Sequence, residues 1–244
     1  MNILISGTSS GLGKYLFRKL PSKKFDRSNP RYLINEKFDL IIHTASGMPG
    51  SNETFEEYHF GQRKVLDNLL ELSFEKFIFI SSIEAFKEHS ESSLYALNKI
   101  KLEEIIIQNL RNFLIIRPAL ILGPDMRFNQ ILKIATKSKC QLSLASESSF
   151  NLVYYSDIIS IIEADLFGVI NLMSERNISL KEISKYYKTT PSWGDFKYLT
   201  PKPSDLTSLY SNSKVNSIDP LDRFSKFVSI EGWKNKINFE KHFN

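Results

Sequence analysis

Short runs of β-branched and aromatic residues alternate with longer amphipathic stretches through the first half of the chain, and this alternation constrains the fold most. Such runs are typical of buried strands, and the longer stretches are typical of helices. Strands are predicted in this way over residues 2–6, 23–26, 39–43, 77–80 and 112–116, and helices over 14–20, 55–72 and 95–110. Strands that alternate with helices pair in parallel, so the sequence predicts an α/β fold with a doubly wound parallel sheet.

Shorter elements continue the alternation in the second half of the chain. Helices are predicted over 127–136, 157–166 and 180–187, and strands over 141–144, 151–155 and 169–172. Ser156 and Ser179 precede two of these helices, where hydroxyl side chains cap the first turn. We therefore assign residues 1–122, completed by 151–172, to a Rossmann-like core, and 123–150 with 173–244 to a smaller lobe.

A glycine loop separates the first predicted strand from the first predicted helix, and its glycines are Gly7, Gly11 and Gly13. Glycines in this context permit a tight turn and let backbone N–H groups approach a pyrophosphate at the helix N-terminus. Ser9, Ser10 and Leu12 complete the loop. The loop therefore predicts a dinucleotide site.

The ends of the second and third strands carry further candidate cofactor contacts. Asp26 stands where a carboxylate would bind the adenosine ribose hydroxyls, and Arg27 where a cation would meet a 2′-phosphate. The small residues Thr44, Ala45 and Ser46 follow the third strand and would let the backbone lie against a cofactor. The alternatives are an exposed loop at Asp26 and Arg27 and a plain turn at residues 44–46. Asp26 favours NAD, whereas Arg27 favours NADP.

The fourth strand ends in hydroxyl side chains and is followed by Tyr95 and Lys99 at helical spacing. Residues four apart share a helix face, and a nearby ammonium favours the phenolate, which lowers the pKa of a tyrosine. Tyr95 could then exchange a proton with a carbonyl or alcohol oxygen that Ser82 also hydrogen-bonds. The stretch predicts a proton-transfer site at a strand end.

Spacing alone does not distinguish this pair, because the chain contains three more Tyr-x-x-x-Lys pairs, at Tyr15, Tyr198 and Tyr210. Pro201 interrupts the second of these, so an unbroken helix is not expected there. An isolated pair of this kind is more often a solvated helix face. Only Tyr95 follows a strand that ends in hydroxyls.

Four pieces in this order resemble the short-chain dehydrogenase/reductase family: the glycine loop, Ser82, Tyr95 with Lys99, and the stretch from Arg117 to Pro124. That last stretch, with residues 152–158 and 178–183, resembles the extended branch of nucleotide-sugar epimerases, dehydratases and reductases. The resemblance covers nearly the whole chain. The glycine spacing and the short Ser82–Tyr95 gap are those of the shorter, single-domain branch.

The resemblance implies a role for each matched residue. Gly7, Gly11 and Gly13 would hold the pyrophosphate of NAD or NADP, Ala45 and Ser46 would line the cofactor, and Pro118 to Leu120 would pack near the nicotinamide. Tyr95 would be the acid/base, Lys99 would bind the nicotinamide ribose, and Ser82 would orient the substrate. The smaller lobe would bind a sugar or nucleotide sugar. Phe150 stands where the family often has an arginine, and Arg127 is either its substitute or a solvated residue.

The predicted function is therefore NAD(P)-dependent oxidoreduction or epimerisation of a sugar, and the resemblance implies a nucleotide-activated one. Glu84, two residues after Ser82, could serve as the base of a 4,6-dehydratase or be an exposed loop carboxylate. Ile83 between them cannot protonate a leaving hydroxyl, which favours reductase or epimerase chemistry. The sequence is also compatible with reduction of a non-sugar carbonyl, and with a catalytically silent NAD(P)-binding regulatory protein.

Composition indicates which further classes of protein the sequence does not resemble. The net charge is +5, and the basic residues are not interleaved with aromatics, so no nucleic-acid surface is expected. An apolar run of membrane-spanning length, about 18 residues, is absent, so no membrane span is expected. The single Cys140 fits a reducing cytoplasm. We expect a cytoplasmic protein without a metal site, and a homodimer is compatible with the resemblance.

Overall fold

A seven-stranded sheet forms the centre of the computed structural model, which describes residues 1–45, 47–86, 93–205, 209–211 and 218–230. Its strands follow the order β11-β9-β5-β4-β3-β1-β2. They are β1 Ile3–Ser6, β2 Ser22–Lys24, β3 Lys37–His43, β4 Ser73–Ile80, β5 Phe113–Pro118, β9 Gly168–Met173 and β11 Leu209–Ser211. The pairs from β2 across to β9 are all parallel. The predicted doubly wound α/β fold is thereby confirmed.

The first strand lies between β2 and β3, so the chain leaves it in opposite directions along the sheet. Ile3 pairs with Ser22 on one side and with Leu40 on the other. In open α/β sheets the carboxyl ends of the strands at such a switch point form a crevice where ligands bind. Here those ends lead directly into the glycine loop after Ser6 and into Thr44 after His43.

The described helices are α1 Gly11–Lys19, α2 Phe55–Leu70, α3 Leu94–Asn109, α4 Gln130–Thr136, α5 Tyr155–Glu163, α6 Leu180–Tyr186 and α7 Ile218–Ile230. Helices α2 and α3 pack side by side on one face of the sheet. Leu66 and Leu69 of α2 join Leu102 and Ile106 of α3 in a core cluster with Phe77 and other strand residues. This packing fixes α3 against the sheet beside β4 and β5.

The chain divides into two compact units. The first comprises Met1–Ala119 and Tyr155–Leu172 with the segment around Leu209; the second comprises Leu120–Tyr154 and most of the chain after Met173. Within the second unit, β6 Leu120–Leu122 pairs in parallel with β8 Leu152–Tyr154, and β7 Ser149–Phe150 pairs with β10 Ile178–Ser179. Ser179 and Glu182 form a capping box on α6, as expected for a cap at Ser179. Substrate binding by this second unit stays a prediction.

Several element boundaries differ from those predicted. Helix α4 begins at Gln130 rather than at Arg127, because the Asn129 side chain caps it. Helix α5 begins at Tyr155, so Ser156 lies inside its first turn; the buried Tyr155 ring packs against Tyr15, 5.1 Å away between centroids. Residues 141–144 form isolated bridges to 192 and 196 instead of a strand.

Within the described part of the chain, none of the helices combines the length and the apolar character that a membrane crossing requires.

Candidate active site

The carboxyl end of β4 leads into a tight turn that carries Ser82. Ile80 ends the strand, and Ser82 begins a 3-10 turn over Ile83–Ala85. The Ser82 hydroxyl accepts a hydrogen bond from the backbone N–H of Glu84 at 3.2 Å. Accepting this bond leaves the hydroxyl proton of Ser82 able to point toward another oxygen. Glu84 is partly buried in the same turn.

Lys99 is held at this strand end although it belongs to α3. Its side chain is 1% exposed, and its Nζ donates a hydrogen bond to the backbone carbonyl of Ile80 at 2.8 Å. The same atom lies 4.6 Å from the ring centroid of Phe79. A buried ammonium needs such polar partners because desolvation of an isolated charge is costly. The structure therefore ties α3 to β4 two residues before Ser82.

Tyr95 lies one turn before Lys99 on α3, and its ring centroid is 5.6 Å from the Lys99 Nζ. The ring is partly buried, and Ser93 caps the helix just before it by accepting from the Ala96 N–H. The predicted shared face of Tyr95 and Lys99 is thus present in the structure. A phenol, an ammonium and a strand-end hydroxyl can support proton transfer at an oxygen.

A buried carboxylate, Glu103, continues this helix face one turn after Lys99. It is 2% exposed and accepts hydrogen bonds from Arg117 Nε at 3.0 Å on both oxygens, with Arg117 Nη2 as a further donor. The Ser81 hydroxyl also donates to Glu103. Arg117 follows the buried part of β5, so the ion pair links α3 to the two neighbouring strands β4 and β5.

His43, the last residue of β3, is fully buried on the same side of the sheet. Its Nδ1 lies 2.6 Å from the Ser6 hydroxyl, and its ring stacks on Phe79 with centroids 5.4 Å apart. Burial, and to a smaller extent the positive charge of Lys99, lowers the pKa of His43 to about 3. His43 is therefore a neutral imidazole at physiological pH.

His59 of α2 joins the same polar region from the neighbouring helix. Its Nδ1 lies 2.8 Å from the Oδ1 of Asn98, a fully buried residue between Tyr95 and Lys99 on α3. This contact therefore links α2 to α3 through the side chain of a buried residue.

The glycine loop packs tightly against the loop that follows β3. Gly7 has φ +78°, and a Cβ on it would lie 2.7 Å from the Ala45 nitrogen and the Thr44 Oγ1. A Cβ on Gly13 would lie 2.2 Å from the Gly7 carbonyl oxygen. Gly11 has φ +56°, a left-handed conformation that favours glycine. Each glycine is thus required by the geometry of the loop.

Helix α1 begins without a side-chain cap. Ser10 precedes it, but within the described residues its hydroxyl makes no capping hydrogen bond, and the first turn contains no acidic residue. Helices α2, α3, α4 and α6 begin with a capping side chain, from Thr54, Ser93, Asn129 and Ser179 respectively. The first N–H groups of a helix attract an anion when no side chain satisfies them. The Thr8 hydroxyl in this loop is also buried and has no hydrogen-bond partner among the described residues.

The remaining loop positions are exposed or partly buried. Ser9 and Ser10 are exposed, and Leu12 is partly buried on α1. The Thr44 hydroxyl donates to the Ser6 carbonyl at 2.6 Å, and Ala45 is partly buried beside it. Ser46 lies outside the described residues.

The structure does not place Asp26 at the end of β2, because that strand ends at Lys24. Asp26 is exposed, and its Oδ1 accepts from the hydroxyl and the backbone N–H of Ser28. These hydrogen bonds hold the pKa of the Asp26 carboxyl below its usual value. Arg27 beside it is exposed as well.

Three further predicted contacts lie on the segment that leads from the first unit into the second. Pro118 is buried at the end of β5 in the first unit. Leu120 and Arg127 belong to the second unit, and Arg127 is exposed in the loop before α4.

Sequence reasoning missed the partners of the predicted site. Glu103 follows Lys99 by four residues, just as Lys99 follows Tyr95. This repeated spacing is the sequence pattern that indicates Glu103. Arg117 stands in the sequence as the first residue of the stretch that ends at Pro124, and nothing in that stretch indicates a contact with Glu103. The Asn98–His59 pair joins two helices that are far apart in sequence, so no local pattern indicates it.

No protein-family model and no curated protein matches this chain. Solved structures do match it in fold. A UDP-galactose 4-epimerase is 16% identical, with 96% of this chain and 100% of that chain covered and a TM-score of 0.69. A UDP-glucose 4-epimerase from Thermotoga maritima, solved with UDP-glucose, is 14% identical over 94% of this chain and 99% of that chain, with a TM-score of 0.74.

An NAD-dependent NDP-hexosamine 5,6-dehydratase, TunA, is 16% identical over 97% of this chain and 99% of that chain, with a TM-score of 0.70. At these identities the likeness shows the fold. The resemblance found in the sequence is confirmed at that level: the chain has the fold that these two sugar epimerases and this dehydratase share.

Proposed function

We propose that this chain is an NAD(P)-dependent enzyme that acts on a sugar, most simply a nucleotide-activated one, by reduction or epimerisation. The observation that carries the proposal is the position of Lys99. Its ammonium is fixed to the carboxyl end of β4, two residues before Ser82, and lies 5.6 Å from the Tyr95 ring. The structural neighbours support the substrate class, since they include enzymes of UDP-sugars.

The glycine loop supports dinucleotide binding. The uncapped N-terminus of α1 offers backbone N–H groups to a pyrophosphate, and the loop glycines leave no Cβ between backbone and ligand. Gly7, Gly11 and Gly13 would hold the pyrophosphate, and Lys99 would bind the nicotinamide ribose. When bound, the nicotinamide ring would supply the hydride chemistry, in which a hydride is accepted from the substrate and later returned to it. One neighbour is NAD-dependent and another was solved with NADPH, so both cofactors belong to the proposal.

Tyr95 is the proposed acid/base. Its phenolate would take the proton of a sugar hydroxyl as the alcohol is oxidised, and the phenol formed in this way would return a proton to the carbonyl oxygen as it is reduced. The positive charge of the Lys99 ammonium favours the phenolate form that accepts this proton. Ser82, whose hydroxyl proton is available, would donate a hydrogen bond to the same sugar oxygen and fix its position.

Replacement of Tyr95 tests the proposal with a control that the chain itself supplies. Tyr95→Phe keeps the ring and removes the hydroxyl, so cofactor binding should survive while turnover of a nucleotide sugar falls by about 10²-fold or more. Tyr15→Phe makes the same change in the Tyr15–Lys19 pair of α1 and should keep turnover near that of the parent. Steady-state kinetics with NAD(H) and NADP(H), and cofactor titration by fluorescence, provide the two readouts.

Two outcomes would contradict the assignment. Equal losses of turnover in the two variants would remove Tyr95 from the chemistry. Absence of turnover with any carbonyl or sugar substrate, despite tight dinucleotide binding, would favour a regulatory protein over an enzyme.

A further inference from the structure

The buried carboxylate of Glu103 creates an electrostatic problem next to the proposed site. A buried carboxylate is stable only when it is paired and hydrogen-bonded. On α3, Glu103 follows Lys99 by four residues, a spacing that brings side chains to about 5–6 Å at their Cβ atoms. The nearest cation on its own helix is therefore the lysine that the proposed reaction requires.

The structure supplies a different counter-charge from the neighbouring strand. Arg117 of β5 donates to both oxygens of Glu103, at 3.0 Å from Nε. The Arg117 side chain is 21% exposed, so solvent reaches the guanidinium, whereas the Glu103 carboxylate is buried. Such a bidentate guanidinium contact is the strongest common arrangement for a carboxylate.

The end of β4 keeps the two charged side chains apart. The carbonyl of Ile80 accepts from Lys99, whereas the hydroxyl of the next residue, Ser81, donates to Glu103. The strand therefore offers an acceptor to the ammonium and a donor to the carboxylate on successive residues. This division of partners is an observation independent of the Arg117 contact.

We propose that Arg117 is a positioning residue that acts through Glu103 on Lys99. By neutralising the buried carboxylate, it prevents Glu103 from drawing the Lys99 ammonium along the helix and away from Tyr95. The inference rests on the proposed function, because it assumes that Lys99 sets the proton affinity of Tyr95. It assigns Arg117 a role without contact to substrate or cofactor.

Several charged and titratable groups face this part of α3. They are His43 from β3, His59 from α2 and Arg117 from β5, besides Tyr95 and Glu103 of α3 itself. His43 is neutral at and above neutral pH because its pKa is lowered to about 3. A change in the Tyr95 titration at alkaline pH therefore reports on Lys99 and Glu103 rather than on His43.

The test is the titration of the Tyr95 phenol, followed by NMR of ring-labelled tyrosine and assigned with Tyr95→Phe. Arg117→Met leaves the Glu103 carboxylate without its cation, so we expect the Tyr95 pKa to rise by about one pH unit. The double variant Arg117→Met with Glu103→Gln removes both charges and should bring the titration back to that of the parent. Turnover below that pKa should fall about tenfold in the single variant and recover in the double variant.

A purely structural role for the ion pair predicts the opposite pattern. It would lower stability in both variants and leave the Tyr95 titration unchanged, and that result would overturn the proposal. If Arg117→Met does not fold, Glu103→Gln alone decides. This change leaves the positive charge of Arg117 uncompensated, so the proposal expects a Tyr95 pKa below that of the parent, and an unchanged or higher pKa would overturn it.

The titration needs no substrate, so it separates this inference from the proposed function. A parent enzyme without turnover would contradict the function. The phenol titration would still decide whether Arg117 acts on Tyr95 through Glu103.

Discussion

His43 shows what a single residue contributes at the edge of this site. The imidazole is fully buried, its Nδ1 contacts Ser6, and its Nε2 has no hydrogen-bond partner in the described part of the chain. Only the neutral form tolerates this environment, because a buried charge without a partner is costly. One face of the sheet therefore carries a titratable group that stays uncharged beside the Lys99 ammonium.

The pH dependence of stability follows from this residue. The folded pKa of about 3 lies below the ordinary value of 6.5, so between these values the unfolded chain binds a proton that the folded chain does not. The free energy of unfolding should therefore fall as the pH decreases through this window, by about 1.4 kcal/mol per pH unit. Urea denaturation at pH 6.5 and 4.5 should show this contribution in the parent and its loss in His43→Gln.

Ser6→Ala provides the matched control for that measurement. It removes the hydroxyl partner but keeps the imidazole buried, so the pH dependence should remain. If His43→Gln retained the same slope as the parent, the pH dependence would have to come from other groups.

Helix α1 is the element whose N-terminal geometry sets it apart from α2, α3, α4 and α6. Its N-terminus is uncapped, and Gly11 at its start has φ +56°. A side chain at Gly11 would be strained in itself and would also stand at the proposed pyrophosphate site. These two effects can be separated with a second glycine that also has a positive φ.

Gly168, the first residue of β9, has φ +83° and nothing within 4 Å of a Cβ placed on it. Gly11→Leu and Gly168→Leu should each lose about 1–2 kcal/mol of stability from the left-handed backbone. Only Gly11→Leu should lose NAD(H) and NADP(H) binding, measured by calorimetry at a temperature where both variants are folded. Retained binding in Gly11→Leu would show that the loop does not hold the dinucleotide.

At the scale of elements, the sequence was informative where the signal is local. Apolar runs predicted β1, β3, β4, β5 and β9, and the four-residue spacing predicted the Tyr95–Lys99 face. The site partners were not predictable, since Arg117 meets Glu103 only because β5 lies beside β4. The Asp26 prediction was wrong about the strand end, because β2 ends at Lys24. Ser28 donates two hydrogen bonds that hold the Asp26 carboxylate in its own loop.

For the whole molecule, the fold alone does not identify the reaction. Sugar epimerases and a dehydratase share it at 14–16% identity. The choice between these reactions depends on a second acid/base group near the sugar. Glu84 is the candidate base, but the neighbouring Ile83 is a buried apolar side chain that cannot protonate a leaving hydroxyl.

Product analysis distinguishes the reactions. With nucleotide hexoses and catalytic NAD or NADP, we expect an epimer, or reduction of a keto sugar when NAD(P)H is supplied, and no 4-keto-6-deoxy product by mass spectrometry. Glu84→Gln should then retain most of the turnover. A 4-keto-6-deoxy product that disappears in Glu84→Gln would make the chain a dehydratase.

The uncapped start of α1 also has a thermodynamic consequence. A ligand anion that accepts hydrogen bonds from those N–H groups binds the folded chain and not the unfolded one, so its binding stabilises the folded state. At 100 times its Kd, such a ligand stabilises the folded state by about 2.7 kcal/mol. We therefore expect the free energy of unfolding to rise with the concentration of the proposed dinucleotide ligand.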